Sequence, residues 1–168
     1  MSSTHPELAS STDGAHSPKR LGVIGGGMVA HRLVEALRDR DPDGTWAVDL
    51  YCEEIHPPYD RVALTSYFGM TSAEELYLGS ADLWESAGVS LRTRSPITAI
   101  NHEARTVECA GEHIDYDALV IATGSRAFVP PVAGSDLPGS FVYRTIDDVV
   151  DIREWVQIRA EELGRPLR

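Results

Sequence analysis

The chain has 168 residues, enough for one domain with a real core and short for an oxidoreductase that must bind two dinucleotides. Its 26 acidic residues against 15 basic ones give a net charge of −11, which repels phosphate backbones and anionic membranes and sets nucleic acid aside as a partner. No long apolar run marks a membrane span, and two well-separated cysteines, Cys52 and Cys109, exclude a disulfide framework, a CxxC redox pair and a four-cysteine metal or cluster site. A reducing, cytoplasmic setting is the expectation.

Residues 1–18, rich in Ser, Thr, Pro and His, lack Lys, Arg and any hydrophobic segment, so they read as a disordered tail and not as a signal or transit peptide. From Lys19 the pattern becomes regular. KRLGVI predicts a strand, GGG a turn, and MVAHRLVEALRDR a helix with Val29, Leu33, Val34 and Leu37 at helical spacing. DPDGTW breaks the chain and AVDLYC follows as a second strand, completing strand, helix, strand over residues 20–52 in the order of a parallel right-handed unit.

Residues 53–70, EEIHPPYDRVALTSYFGM, have paired prolines and little periodicity and read as a long functional loop. Ser72 with Glu75 makes a capping box for a short helix, and SADLWESAG predicts another from near Ser80 to Gly88. VSLRT, PITAIN, RTVECA and HIDY favour strands, the middle ones forming an antiparallel meander. DALVIATG is a nearly continuous apolar run that suits a fully buried strand returning to the parallel sheet. After a proline-stiffened stretch over 128–139, Thr145 caps a helix over 146–163 with Val149, Ile152, Val156, Ala160 and Leu163 on one face, stopped by Gly164 and Pro166.

Gly25-Gly26-Gly27-Met28-Val29-Ala30 fits G-x-G-x-x-A. Gly25 permits the tight turn, Gly27 lets a pyrophosphate approach the backbone, and Ala30 lets helix and strand pack closely, with the first-turn amides around Met28 and Val29 favouring phosphate. The alternative is a plain structural turn. Glu53, at the end of the second strand, stands where a carboxylate accepts hydrogen bonds from an adenosine ribose and disfavours a 2′-phosphate; Glu54 competes for that role, and two solvated acids are the alternative. The antiparallel insertion and the strand ending in ATG point to FAD in preference to NAD.

His31 reads as solvent-facing, Trp46, Trp84 and Trp155 as packing residues, and Cys52 as a buried inert thiol inside the second strand. No metal site is expected and no catalytic residue is assigned. The absence of C-x4-C after the first helix excludes disulfide-reductase chemistry.

VIGGGMVAHR, CEE with PYDRVALTSYF, YDALVIATGS and FVYRTIDD together resemble the N-terminal flavin-binding part of the large subunit of assimilatory NAD(P)H nitrite reductase, within the two-dinucleotide flavoprotein reductases. The resemblance covers about residues 20–150. It implies an α/β fold, a Rossmann-like parallel sheet with an antiparallel β-meander insertion, forming an incomplete FAD/NAD(P)-binding domain. FAD would be the cofactor, its pyrophosphate on the glycine turn and its ribose on Glu53. Arg61 would face the phosphates or adenine, unless it pairs with Asp60 or Glu54. Ile97 would offer backbone groups to the adenine, and Ala122, Thr123, Gly124 and Ser125 would pass close to the cofactor. Ser66 stands where ferredoxin-reductase relatives carry a lysine, which removes lysine assistance at the flavin N5.

The resemblance divides the chain into a FAD-binding domain over 19–126 and a crossover with helix over 127–168 leading to an absent NAD(P)H domain. A partner chain or missing domains would supply the NAD(P)H, iron-sulfur and sirohaem sites, so turnover by this chain alone is not expected. Two other readings stay open: a non-catalytic FAD- or NAD-binding module, and an electron-transfer subunit of the ferredoxin- or rubredoxin-reductase type.

Overall fold

The computed structural model describes residues 17–166. The tail predicted over 1–18 therefore lies outside them except for Ser17 and Pro18. In chain order come β1 (Lys19–Ile24), α1 (Met28–Arg40), β2 (Trp46–Tyr51), two 3₁₀ helices (Val62–Gly69 and Ala73–Leu76) and α2 (Ala81–Trp84). Then follow β3 (Val89–Arg92), β4 (Ile97–Asn101), β5 (Thr106–Cys109), β6 (Glu112–Asp115), β7 (Ala118–Ile121) and α3 (Ile146–Leu163). One sheet is wholly parallel, in the order β3-β2-β1-β7; the other is the predicted meander, antiparallel in the order β4-β5-β6.

Strand alternation decides what each face of the parallel sheet meets. Leu21 and Val23 of β1, Val48 and Leu50 of β2 and the following Cys52 pack against Ala30 and Val34 of α1, with Trp84 of α2 at the margin. Ile24 and Tyr51 take the opposite face and meet Val107 and Cys109 of the meander, with Leu119 of β7 beside them. The result is three layers: helices, parallel sheet, meander. Val23, Val34 and Leu50 are wholly buried, and each such side chain contributes about 1.5–3 kcal/mol.

A second core lies beside these layers. Tyr59, Leu64, Tyr67 and Leu76 close on Ile146 and Val149 of α3. The segment predicted as featureless loop is therefore built: Leu64 and Tyr67, three apart, share one side of a 3₁₀ helix and bury against the first turns of α3. Asp60 caps it by accepting from the Val62 and Ala63 amides at 2.8 and 3.2 Å.

Other expectations are adjusted. The helix predicted to reach Gly88 is one turn, Ala81–Trp84, because the Trp84 indole folds back and donates to the Leu78 carbonyl at 3.0 Å. β2 ends at Tyr51, so Cys52 lies just beyond the strand and not in it. β7 is not fully buried: it forms the edge of the sheet, and Ile121 is 63% exposed. Only the N-terminal part of the predicted apolar face of α3 is covered, since Val156 and Leu163 extend past the 3₁₀ helix and are exposed. His31 is half-buried, tilted against Trp84 with ring centroids 5.8 Å apart. Among the described residues no helix is long and apolar enough to cross a membrane.

Candidate functional site

The C-terminal ends of β1, β2 and β7 open into a cleft of about 1140 Å³, where open parallel sheets hold their ligands. Its floor is the glycine turn. Gly25 has φ +113°, and a Cβ there would lie 2.8 Å from the Thr123 Cα and closer still to the Ala122 carbonyl. Gly26 sits on Cys52, whose Cβ would be 2.8 Å from a Gly26 Cβ. Gly27 differs from both, for a Cβ there meets nothing within 4 Å. The turn is thus packed shut on its inner side and open on the cleft side.

Gly27 is the N-cap of α1, and neither a side-chain cap nor an acidic residue occupies the first turn. The leading amides and the positive end of the helix dipole therefore remain available to an anion. Met28 and Val29 line the cleft, whereas Ala30 is wholly buried beneath the turn against the sheet, as the close-packing role requires.

The two adjacent acids at the end of β2 have different surroundings. Glu54 accepts from the Tyr59 hydroxyl at 2.8 Å and is ion-paired with Arg61. Glu53 stands at the rim, its side chain 68% exposed, 3.2 Å from the exposed guanidinium of Arg126. Arg61 lines the cleft but is already held: it also donates to the Tyr59 hydroxyl at 2.8 Å and to the Arg144 carbonyl at 3.1 Å, and stacks over the Tyr59 ring. Of the two partners expected for Arg61, Glu54 is the one it takes.

Tyr59 is the hub of this wall. Its buried hydroxyl donates to Glu54 and accepts from Arg61, and it also accepts from the Ile146 amide at the start of α3 at 3.3 Å. Burial first, then the bond to Glu54, pushes the phenol well above its ordinary range. The Cys52 thiol, 1% exposed under the turn, is pushed up to about 12 by burial and secondarily by Glu54, which makes it inert at neutral pH. Both cysteines are free.

Ile97 opens the meander's contribution, and the β4–β5 register shifts between Ile97 and Ala99, where the strand bends beside the cleft. Ala122 donates its amide to the Ile24 carbonyl at 2.8 Å, and Thr123, Gly124 (φ +70°) and Ser125 turn away along the opposite wall. Every predicted site residue except Ala30 lines one cleft. Sequence reasoning missed Gly26, which the motif treats as free, and the cations Arg126 and Arg144. Arg144 sits inside FVYRTIDD and Arg126 directly follows YDALVIATGS, so their charge was the available signal.

A family model described as pyridine nucleotide-disulphide oxidoreductase matches residues 19–157, well over half of the chain. The chain belongs to this family. Within the pyridine nucleotide-disulphide oxidoreductases it is 44% identical over 131 residues to the nitrite reductase [NAD(P)H] large subunit of Klebsiella oxytoca, covering 77% of this chain and 14% of that protein. The nitrite reductase (NADH) large subunit of Escherichia coli K12 is 40% identical over 134 residues, covering 79% and 16%. The chain thus spans about a seventh of the length of these relatives. In fold it is similar to the crystal structure of a ferredoxin reductase from Rhodopseudomonas palustris, with a TM-score of 0.75 at 24% identity, covering 83% of this chain and 35% of that one. The two cysteines are buried apart, Cys52 just beyond β2 and Cys109 at the end of β5, and both are free.

Proposed function

We propose that the chain is the FAD-binding portion of an NAD(P)H-dependent flavoprotein reductase of the nitrite reductase type, with the ADP half of FAD in the cleft. The observation that carries this reading is the meeting in one cleft of the open Gly27 turn, Glu53 and the Ala122–Ser125 wall, segments far apart in sequence. The residues present fit the group: an uncapped helix start accepts a diphosphate, and a rim carboxylate accepts ribose hydroxyls.

In this reading the amides of Met28 and Val29 hold the diphosphate, and Gly27 keeps the approach clear. Glu53 holds the ribose, while Glu54 stays in the wall and orients Arg61 by direct ion pairing, with Tyr59 bonded to both. Arg144, partly buried and without an ion-pair partner among the described residues, adds a cation beside Gly124. Ile97 borders the adenine end with backbone groups. When bound, FAD supplies the hydride and electron chemistry. The NAD(P)H, iron-sulfur and sirohaem sites fall to further domains or a partner chain. Two free buried thiols suit a cytoplasmic, reducing setting.

The test is reconstitution of the purified chain with FAD. The expected result is a yellow protein that retains flavin through gel filtration, with Glu53→Ala weakening retention about tenfold or more. Binding of NAD with no FAD retained overturns the reading in favour of a non-flavin nucleotide module; unchanged retention by Glu53→Ala removes that residue from the site.

A further inference from the structure

His56 lines the cleft without a part in the FAD reading. Its side chain is only 15% exposed, and it joins three segments of the chain. Within its own segment it stands edge-on to Tyr59, ring centroids 6.3 Å apart. At the exit of the second 3₁₀ helix its Nδ1 lies 2.8 Å from the Tyr77 hydroxyl. On the first turn of α3 its Nε2 lies 3.4 Å from Oδ1 of Asp147, which also lines the cleft. We propose that His56 is a positioning residue for nucleotide binding: through Asp147 it restrains the first turn of α3 from the cleft side, and with it the place of Arg144. This rests on the reading that the cleft holds FAD.

The ring is fixed before any ligand arrives. Pro57 and Pro58 follow it and restrict the backbone, and the segment is stitched to the stretch around Tyr77 by bonds from the Leu78 amide to the Pro58 carbonyl at 2.8 Å and from the Asp60 amide to the Leu76 carbonyl at 2.9 Å. Burial raises the Tyr77 phenol above its ordinary range, so it keeps its proton. A hydroxyl that donates to Nδ1 leaves the ring proton on Nε2, facing Asp147. The helix is held differently. Ile146 and Val149 are wholly buried and anchor α3 on its core side, while Asp147, about 100° further round than Ile146, is the handle on the cleft side. Arg144 stands just before the N-cap Thr145 and reaches across to Gly124, where a Cβ would lie 3.4 Å from its Nη2. A free carboxylate on this wall would repel a diphosphate, whereas one engaged by His56 holds the helix in place.

The experiment measures FAD affinity of the full chain by quenching of flavin fluorescence, with urea unfolding in parallel to establish that each variant is folded. Asp147→Ala decides, because the two roles of Asp147 predict opposite signs. As a mere charge on the wall, its removal relieves repulsion and tightens FAD binding. As the handle held by His56, its removal weakens FAD binding about threefold, although the side chain is 58% exposed. His56→Leu should weaken binding by a similar factor, and His56→Gln, whose amide reaches about as far as Nε2, should restore most of it. His56→Leu combined with Asp147→Ala should lose no more than either alone. Tighter or unchanged binding by Asp147→Ala overturns the assignment and leaves the FAD reading intact. Additive losses in the double variant do the same, since His56 would then touch the ligand directly. Absence of FAD binding to the wild-type chain overturns the FAD reading, and this assignment with it.

Discussion

α1 and α3 both begin at the cleft, and their first turns are furnished in opposite ways. At α3, Thr145 and Asp148 form a capping box, Asp148 also takes the Arg144 amide at 2.8 Å, and the Ile146 amide goes to Tyr59. At α1 there is no side-chain cap and no first-turn acid. The adjacent acids just after β2 divide in the same manner, Glu54 spent on the wall and Glu53 left at the rim. Groups that hold the fold together are saturated, and groups that face the cleft are left with donors, charge or space to spare.

That division can be broken from either side. The largest expected effect is on the packed side of the turn: Gly25→Ala forces a side chain into a left-handed backbone and against Ala122 and Thr123, and should cost about 3 kcal/mol or more in urea unfolding. Tyr59→Phe keeps the ring but deprives Glu54, Arg61 and the Ile146 amide of their shared partner, for an expected loss of about 2 kcal/mol in the same assay.

A third effect is read in alkali. The folded Cys52 thiol is raised to about 12, so above the ordinary thiol range the unfolded chain releases a proton that the folded chain keeps. Its contribution is complete below the unfolded value and is lost as pH rises toward the folded one, by at most about 1.4 kcal/mol per pH unit. Cys52→Ala should flatten the decline in stability between about pH 9 and 11. The smallest effect on stability, within about 1 kcal/mol, is expected of Gly27→Ala, which has an extended backbone and open space. FAD retention should nevertheless be abolished. Joint loss of stability and retention would show that Gly27 belongs to the packed side.

Much of this was legible because it is local. β1, α1 and α3 match their predicted bounds, and both capping boxes stand where Ser72–Glu75 and Thr145 put them, since a strand period, a helix period and a cap are written within a few residues. The 3₁₀ helix was not legible: its two apolar anchors gain meaning only against α3, some 80 residues later. Position put Glu53 ahead of Glu54, but that Glu54 is taken up by Tyr59 and Arg61 is written only in the fold. Gly26 was passed over because a motif records the ligand's demands on the turn and not those of Cys52 beneath it.

The bond from the Ile146 amide to the Tyr59 hydroxyl has a further use. A helix's leading amide normally exchanges its proton with solvent quickly, but this one is tied to a buried phenol that also holds Glu54 and Arg61. Its deuterium uptake is therefore a clock on the opening of the whole wall. If a ligand settles between Arg61 and the glycine turn and restrains that wall, exchange at this single amide should slow by the same factor as the opening equilibrium, giving a readout of occupancy that needs no colour and no turnover.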